Sequence, residues 1–299
     1  MKLIVTGGSG FLGSHVADHL KERGHAVTVF DAAPTERHRS IVGDLLDPEA
    51  LRSAFGGIEA VCHLGAIGDV YLAGEKPALA ASVNAVGTAN VCDAALASGL
   101  RRVVVASTWE VYGEPHYQPL DEKHPLEPDH PYNITKLAGE RLALAYARLK
   151  QLDVVALRLG TAFGTRMRPN SVFSIFIRKA MAKEAITIQG SGEQGRQFTH
   201  ASDIARAFEA AITKGTSGRA YNIVAPEMIT IKRLAQTVAK RLPTEVTFGA
   251  ARPGDVPSAT VSSELAAAEL GWSAVKPFDE ALDQLIEHHR ATAKVPPAQ

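Results

Sequence analysis

The sequence predicts an α/β fold: a doubly wound parallel sheet with a smaller C-terminal lobe. Three observations predict it. Short β-branched runs alternate with longer helical patterns through the first half, a glycine turn joins the first run to the first helical pattern, and the alternation breaks down after Leu159. Such alternation calls for crossover helices on both faces of a parallel sheet, the Rossmann-type arrangement. In order, residues 3–6 read as a strand, 10–23 as a helix, 26–31 and 60–64 as strands, 84–98 as a helix, 103–107 as a strand and 132–149 as a helix. Apolar residues at three- and four-residue spacing mark the helices, and Gly24 and Gly99 stand where helix ends favour a left-handed residue. At 299 residues the chain is long for one core and short for two independent domains. We expect residues 1–160 to form mainly the dinucleotide half. Residues 161–290 should form mainly a substrate lobe with some segments returning to the core, and 291–299 a disordered tail.

Lys plus Arg count 32 and Asp plus Glu count 32. That balance gives no electrostatic case for nucleic acid or an anionic membrane as a partner. The apolar stretch 78–92 is interrupted by Asn84 and Asn90 and falls short of the ~20 residues a membrane span needs. Cys62 and Cys92 are too few for a disulfide framework or a thiolate metal site, and a reducing, cytoplasmic setting is expected. His15 and His19 sit four apart on the first helix, yet no third ligand accompanies them, so they read as packing or surface residues and no metal is expected.

The chemistry begins at Gly7-Gly8-Ser9-Gly10-Phe11-Leu12-Gly13, which closes the first strand and opens the first helix. Glycines at this spacing let backbone N–H groups approach a pyrophosphate at a helix N-terminus. Asp31 ends the second strand, where a carboxylate accepts both adenosine ribose hydroxyls and repels a 2′-phosphate, favouring NAD over NADP. A helix-capping role is its bland alternative, and Arg37 and Arg39 keep NADP open. Tyr132 and Lys136 lie four apart on one helix face that Pro131 can begin. A phenol is a poor base near neutral pH, but a neighbouring ammonium and an oxidised nicotinamide favour phenolate. Thr108, ending another strand, can hydrogen-bond the same substrate oxygen as Tyr132.

With these residues in place the chain resembles the extended short-chain dehydrogenase/reductase family, specifically its NAD-dependent nucleotide-sugar epimerases and dehydratases. The likeness also rests on Gly43-Asp44-Leu45, His63-Leu64-Gly65-Ala66, Asn84-Ala85-Val86-Gly87-Thr88, the segments 158–164 and 190–203, Arg252-Pro253-Gly254-Asp255 and Leu270-Gly271-Trp272. The resemblance implies Asp44 and Leu45 at the adenine, and Leu64, Gly65, Ala66 and Asn84 along the cofactor. It also implies Lys136 on the nicotinamide ribose, Arg196 and Arg252 on a substrate diphosphate with Asp255 beside them, and a homodimer packed through two helices per subunit.

Departures from that pattern bear on the reaction. Dehydratases of the family usually follow the Thr with Asp or Ser and then Glu; here Trp109 takes the middle place and Glu110 remains. Thr161 stands where many hexose epimerases carry Asn, and Gln189 where an aromatic often lies near the base. The leading expectation is a 4-epimerase of a nucleotide-diphosphate sugar, a UDP-hexose or UDP-uronate, with Thr108, Tyr132 and Lys136 catalytic. The alternative uses Glu110 for 4,6-dehydration or decarboxylation. A dinucleotide sensor without catalysis is disfavoured, because the chain keeps both Tyr132 and Lys136.

Overall fold

A computed structural model of the protein describes residues 1–251 and 258–293. The chain runs β1 (Lys2–Thr6), α1 (Phe11–Glu22), β2 (Ala26–Asp31), β3 (Arg39–Val42), α2 (Pro48–Ala54) and β4 (Ala60–His63). Then come α3 (Val70–Glu75), α4 (Pro77–Ala81), a π-helical turn (Ser82–Val86), α5 (Gly87–Ala97), β5 (Arg102–Thr108), α6 (Pro131–Lys150) and β6 (Val154–Leu159). The second half holds β7 (Thr161–Phe163), α7 (Val172–Met181), β8 (Ile186–Gln189), β9 (Gly195–Arg196), β10 (Phe198–His200), α8 (Ala201–Lys214) and β11 (Arg219–Ile223). It closes with β12 (Ile229–Thr230), α9 (Ile231–Arg241), β13 (Val246–Gly249) and α10 (Phe278–Ala293).

Seven strands form one parallel sheet in the order β11-β6-β5-β4-β1-β2-β3. Every residue of β4 and β6 is buried, as strands covered on both faces require. On one face α1 and α8 pack Val16, Leu20, Ile204 and Phe208 against Leu3, Val104 and Leu157. The other face holds α2, α5 and α6, with Leu51, Val91 and Ala143 against Ile4, Val61 and Val103. The lobe has its own core, in which Phe173 stacks on Phe163 and meets Phe198 edge-on.

Three strands of the main sheet were not anticipated from the sequence: β3, β6 and β11. β3 forms an edge from an Arg-Ser-Ile-Val segment, and β11 returns from the second half to pair with β6. The expected tail also needs correction, since residues 291–293 are the last turn of α10 and residues 294–299 lie outside the described residues. Gly24 and Gly99 do take the left-handed backbone expected of them, at φ +84° and +66°. A Cβ on Gly13 would sit 2.0 Å from the Gly7 carbonyl oxygen, so only glycine lets α1 start this close to β1.

Beneath the carboxyl ends of the strands lies a buried polar chain. The Ser107 hydroxyl donates to Glu140 at 2.6 Å, and the Arg158 guanidinium donates to the same carboxylate at 2.6 Å. Arg158 also donates to the Tyr112 hydroxyl at 2.9 Å, and that hydroxyl donates to Asn222 at 2.7 Å. Glu140 is 1% exposed and Arg158 4%. Removing one partner strands the other charge in the interior, which costs about 3–5 kcal/mol. Glu140→Ala should therefore lower the urea midpoint by that equivalent without changing the slope, and the double variant Glu140→Ala/Arg158→Met should recover much of it. A midpoint unchanged in the single variant would refute the role assigned to the pair.

Candidate active site

A cleft of about 830 Å³ opens at the carboxyl ends of the sheet strands. There, loops leaving parallel strands converge and ligands of open α/β sheets bind. One end is walled by the glycine turn, with Gly7, Gly10, Phe11, Leu12 and Gly13, by Asp31 at the end of β2, and by Asp44 and Leu45 after β3. Leu64, Gly65 and Ala66 continue the wall from β4. The other end gathers Thr108 and Glu110 after β5, Tyr132 and Lys136 from α6, and Thr161 from the lobe.

Asp31 is fixed by two backbone donors, Ser9 N at 3.0 Å and Ala33 N at 3.1 Å. It caps no helix, and the bracing aims its carboxylate at the rim of the cleft. Arg37 turns away and pairs with Asp18 at 2.6 Å, while Arg39 is exposed on β3. Neither lines the cleft among the described residues, which leaves Asp31 as the charged group at that end beside Asp44.

Tyr132 and Lys136 sit on successive turns of α6, whose N-terminus is capped by the His130 ring nitrogen accepting from Tyr132 N. The Lys136 ammonium donates to the Ala106 carbonyl at 2.7 Å, and burial pulls its pKa down to about 8. Tyr132 is half-buried, and the Thr108 hydroxyl lies within hydrogen-bonding reach of its phenol. Burial foremost, then the charge of Glu110, push its phenol above the ordinary range, while Arg168 and the Thr108 hydrogen bond act against them. Burial also raises the Glu110 carboxyl, with the Arg196 charge opposing.

Three expectations fare differently. Asn84 is not on the cleft. It is 1% exposed, its amide oxygen accepts from Ile67 N at 2.8 Å, and its amide nitrogen donates to Ile67 O and the Thr135 hydroxyl. It clamps the loop after β4 against α6 and so acts on the cleft wall from behind. Arg196 backs Glu110 and Trp109 in a small recess outside the main cleft. Gln189 ends β8 away from the cleft, with its side-chain oxygen buried and unpartnered. Arg252 and Asp255 lie outside the described residues.

Sequence reasoning missed Ser9, Arg168 and Asp69 as cleft residues. A signal existed for Ser9, which is inside the glycine turn; nothing in the spacing brings 69 and 168 together. His15 donates to the Thr165 carbonyl at 2.8 Å and is pushed down to about 4 by burial, and His19 pairs with Glu209 at 2.7 Å, so both are structural. Among the described residues no cluster of His, Cys, Asp or Glu could hold a metal, and no helix is long and apolar enough to cross a membrane.

Fold and cleft together define a dinucleotide-binding α/β protein. The profile of the NAD dependent epimerase/dehydratase family matches residues 3–224, and the chain belongs to that family. It is 30% identical to UDP-glucuronic acid decarboxylase 1 of Xenopus tropicalis over 97% of this chain and 72% of that one. Its fold matches the UDP-glucose 4-epimerase of Thermotoga maritima, solved with UDP-glucose, with a TM-score of 0.93, 28% identity, and coverage of 98% of this chain and 100% of that one. MoeE5, solved with UDP-glucose and NAD, gives a TM-score of 0.91 at 33% identity, covering 98% of this chain and 100% of the other. The protein is an NAD-dependent enzyme of this family. Its residues fit NAD. The cleft runs from the glycine turn and Asp31 to Tyr132 and Lys136, the glycine turn leaves no Cβ between backbone and pyrophosphate at Gly7 or Gly10, and the braced Asp31 matches a ribose diol.

Asp31→Ala should weaken NAD binding and narrow the gap between NAD and NADP, because the carboxylate that accepts from the ribose and repels a 2′-phosphate is gone. Calorimetric titration of cofactor-free protein measures both affinities, and an unchanged ratio would overturn the assignment.

Proposed function

We propose that the enzyme is a nucleotide-sugar 4-epimerase acting on a UDP-hexose or UDP-uronate through a transient 4-keto sugar. The observation that carries this reading is the pairing of Tyr132 with Thr108 at the inner end of the cleft, with Trp109 in the next position. Bound NAD supplies a reversible two-electron acceptor for the sugar carbon and a cationic ring. The rest is the work of side chains. Thr108 and Tyr132 hold the C4 hydroxyl, and Tyr132 Oη takes its proton. Lys136, buried and anchored to Ala106 O, holds the nicotinamide ribose and adds positive charge that favours the phenolate. As the 4-keto sugar turns over, Tyr132 returns the proton from the same oxygen. Elimination of a C6 hydroxyl would need an acid beside Thr108, and the indole N–H of Trp109 is far too weak for that.

Glu110 favours a second reading. It lines the cleft with a raised pKa, as an acid or base acting at C5 would, and supports dehydration or decarboxylation from the same 4-keto sugar. A substrate deuterated at C4 separates the readings. Epimerisation returns the label to C4, whereas label at C6, or loss of C6 as carbon dioxide from a uronate, would overturn the epimerase reading. Tyr132→Phe should lower turnover by at least about a thousandfold while leaving sugar-nucleotide affinity within a few-fold, since the phenol moves a proton more than it binds.

The reading includes a homodimer built on α6. Off the face that carries Tyr132 and Lys136, α6 presents Ile134, Leu142 and Leu149, which are 47%, 41% and 69% exposed. Counted at ~100° per residue these fall on one stripe, and Val86 at the foot of α5 is exposed as well. Sedimentation should give a dimer, and Leu142→Asp should shift it toward monomer; a monomeric wild type would refute this.

A further inference from the structure

One carboxylate on α1 gathers cations from both halves of the molecule. Asp18 Oδ2 accepts from Arg37 NH2 at 2.6 Å and from Arg166 NH2 at 2.9 Å, and its Oδ1 accepts from His38 Nε2 at 2.9 Å. Arg37 and His38 belong to the loop after β2, shortly beyond Ala33, whose N–H braces Asp31 at the adenosine end. Arg166 belongs to the loop between β7 and α7, where Met167, Arg168 and Ser171 line the cleft. That loop is fastened to the same helix a second time, because His15 Nε2 donates to the Thr165 carbonyl at 2.8 Å. Between these two ties and the cleft wall the backbone turns at Arg166 with φ +65°, a left-handed conformation that a non-glycine residue keeps only where its surroundings fix it. Arg166 Nε is buried with no partner among the described residues, so the arginine holds Asp18 through NH2.

Arg37 and Arg166 touch the same oxygen, so without its negative charge they are two like charges side by side, one on each loop. The Arg37 charge already acts on Arg166 in the intact cluster. Burial works against ionisation of Asp18, yet the hydrogen bonds from Arg37 and His38 and the Arg166 charge hold its carboxyl below the ordinary carboxylate range. The anion is therefore present at neutral pH. Asp18 itself does not line the cleft among the described residues. Given the reading above, in which the lobe end of the cleft takes a nucleotide sugar, we propose that Asp18 is a positioning residue for that ligand. Its carboxylate neutralises one arginine from the cofactor half and one from the lobe, and so sets the separation of the two loops that flank the cleft. It reaches the sugar nucleotide only through Arg166 and the lining residues that follow, whichever reaction the bound sugar then undergoes.

Calorimetric titration of UDP-glucose, and of dTDP-glucose, into NAD-saturated protein in the Tyr132→Phe background, which stops turnover, reads the effect. Asp18→Asn keeps the side-chain shape and one oxygen but loses the charge, and it should weaken the sugar nucleotide that binds by at least about fivefold. Arg37→Met alone should change that affinity less than about twofold, because Asp18 still pairs with Arg166. Adding Arg37→Met to Asp18→Asn should tighten binding again by at least about threefold, since the repelling charge is gone. A merely structural Asp18 would give the opposite, a second lesion in the cluster that weakens binding further or leaves it unchanged. Arg166→Met cuts the tie from the lobe side, whether or not Asp18→Asn folds, and should weaken the same ligand by at least about threefold while leaving NAD affinity within about twofold. An unchanged affinity in Asp18→Asn or in Arg166→Met, or a double variant no tighter than Asp18→Asn, would each overturn the proposal. If neither sugar nucleotide binds the parent, the substrate reading fails alone, and trypsin cleavage after Arg166, which needs no ligand, decides the role of the junction. Cleavage should quicken in Asp18→Asn and slow again when Arg37→Met is added; equal rates would overturn the proposal.

Discussion

The catalytic end of this protein depends on one carboxylate that water does not reach. Glu140 accepts from Ser107 on β5 and from Arg158 on β6, so a single anion fastens α6 to two neighbouring strands at the end where the cleft opens. Tyr132, Lys136 and Glu140 recur every four residues on one face of α6. Fixing the third fixes the azimuth of the other two. Ser107 in turn immediately precedes Thr108, so the hydroxyl that meets Tyr132 is set by the same anchor. Arg158 passes the constraint through Tyr112 to Asn222 on β11, whose side-chain amide donates to the carbonyl of Ser262 and whose backbone N–H donates to the carboxylate of Glu122. A buried ion pair is a weak source of net stability. Its value here is geometric, since a helix held only by apolar contacts has more freedom to rotate about its axis.

Electrostatics at the two ends of the cleft differ in kind. The adenosine end carries Asp31 and Asp44, and the arginine nearest to it in sequence, Arg37, is committed to Asp18. The inner end is mixed, with Lys136 and Arg168 facing Glu110 and Asp69. Of these charges, Glu110 and Arg168 act on the Tyr132 phenol. Burial moves this phenol further above the ordinary range, and the elements that counter burial are an arginine from the opposite wall and a threonine hydroxyl. His63, beneath this end, is buried with both ring nitrogens hydrogen-bonded to the hydroxyls of Thr6 and Thr88, and burial pushes it down to about 3, so it adds no charge.

Much of this was legible in the sequence because it is local. The glycine turn, Asp31, and the Tyr132–Lys136 pair each declare themselves within one element or one turn, where periodicity and backbone sterics act on neighbouring residues. What escaped notice is non-local. β11 is five residues in an irregular stretch, and its membership of the main sheet comes from pairing with β6 more than sixty residues earlier. Asp69 and Arg168 carry no pattern of their own and meet only because the lobe folds back over the β4 loop. Asn84 was placed near the cofactor on resemblance, and its amide is instead spent on the backbone of Ile67 and on Thr135. The sequence supplies a polar residue at that position, and only the packing decides which way it turns.

The late arrival of β11 also shapes how the chain must be made. The strand that pairs with the outer side of β6 lies beyond the whole of α7, the first lobe strands and α8. A ribosome adding ~5–20 residues per second therefore leaves β6 as an open edge for several seconds after it emerges. Its six buried residues, Val154–Leu159, are the kind of apolar strand that recruits a neighbour's edge while it waits. The helix that shields the same region, α8, is made just before β11, so the edge and its cover are completed almost together. A fragment ending near residue 160 would keep the nucleotide turn and the catalytic helix, yet it would carry that unpaired edge permanently. The second half of the chain therefore completes the sheet of the first, even though each has a core of its own.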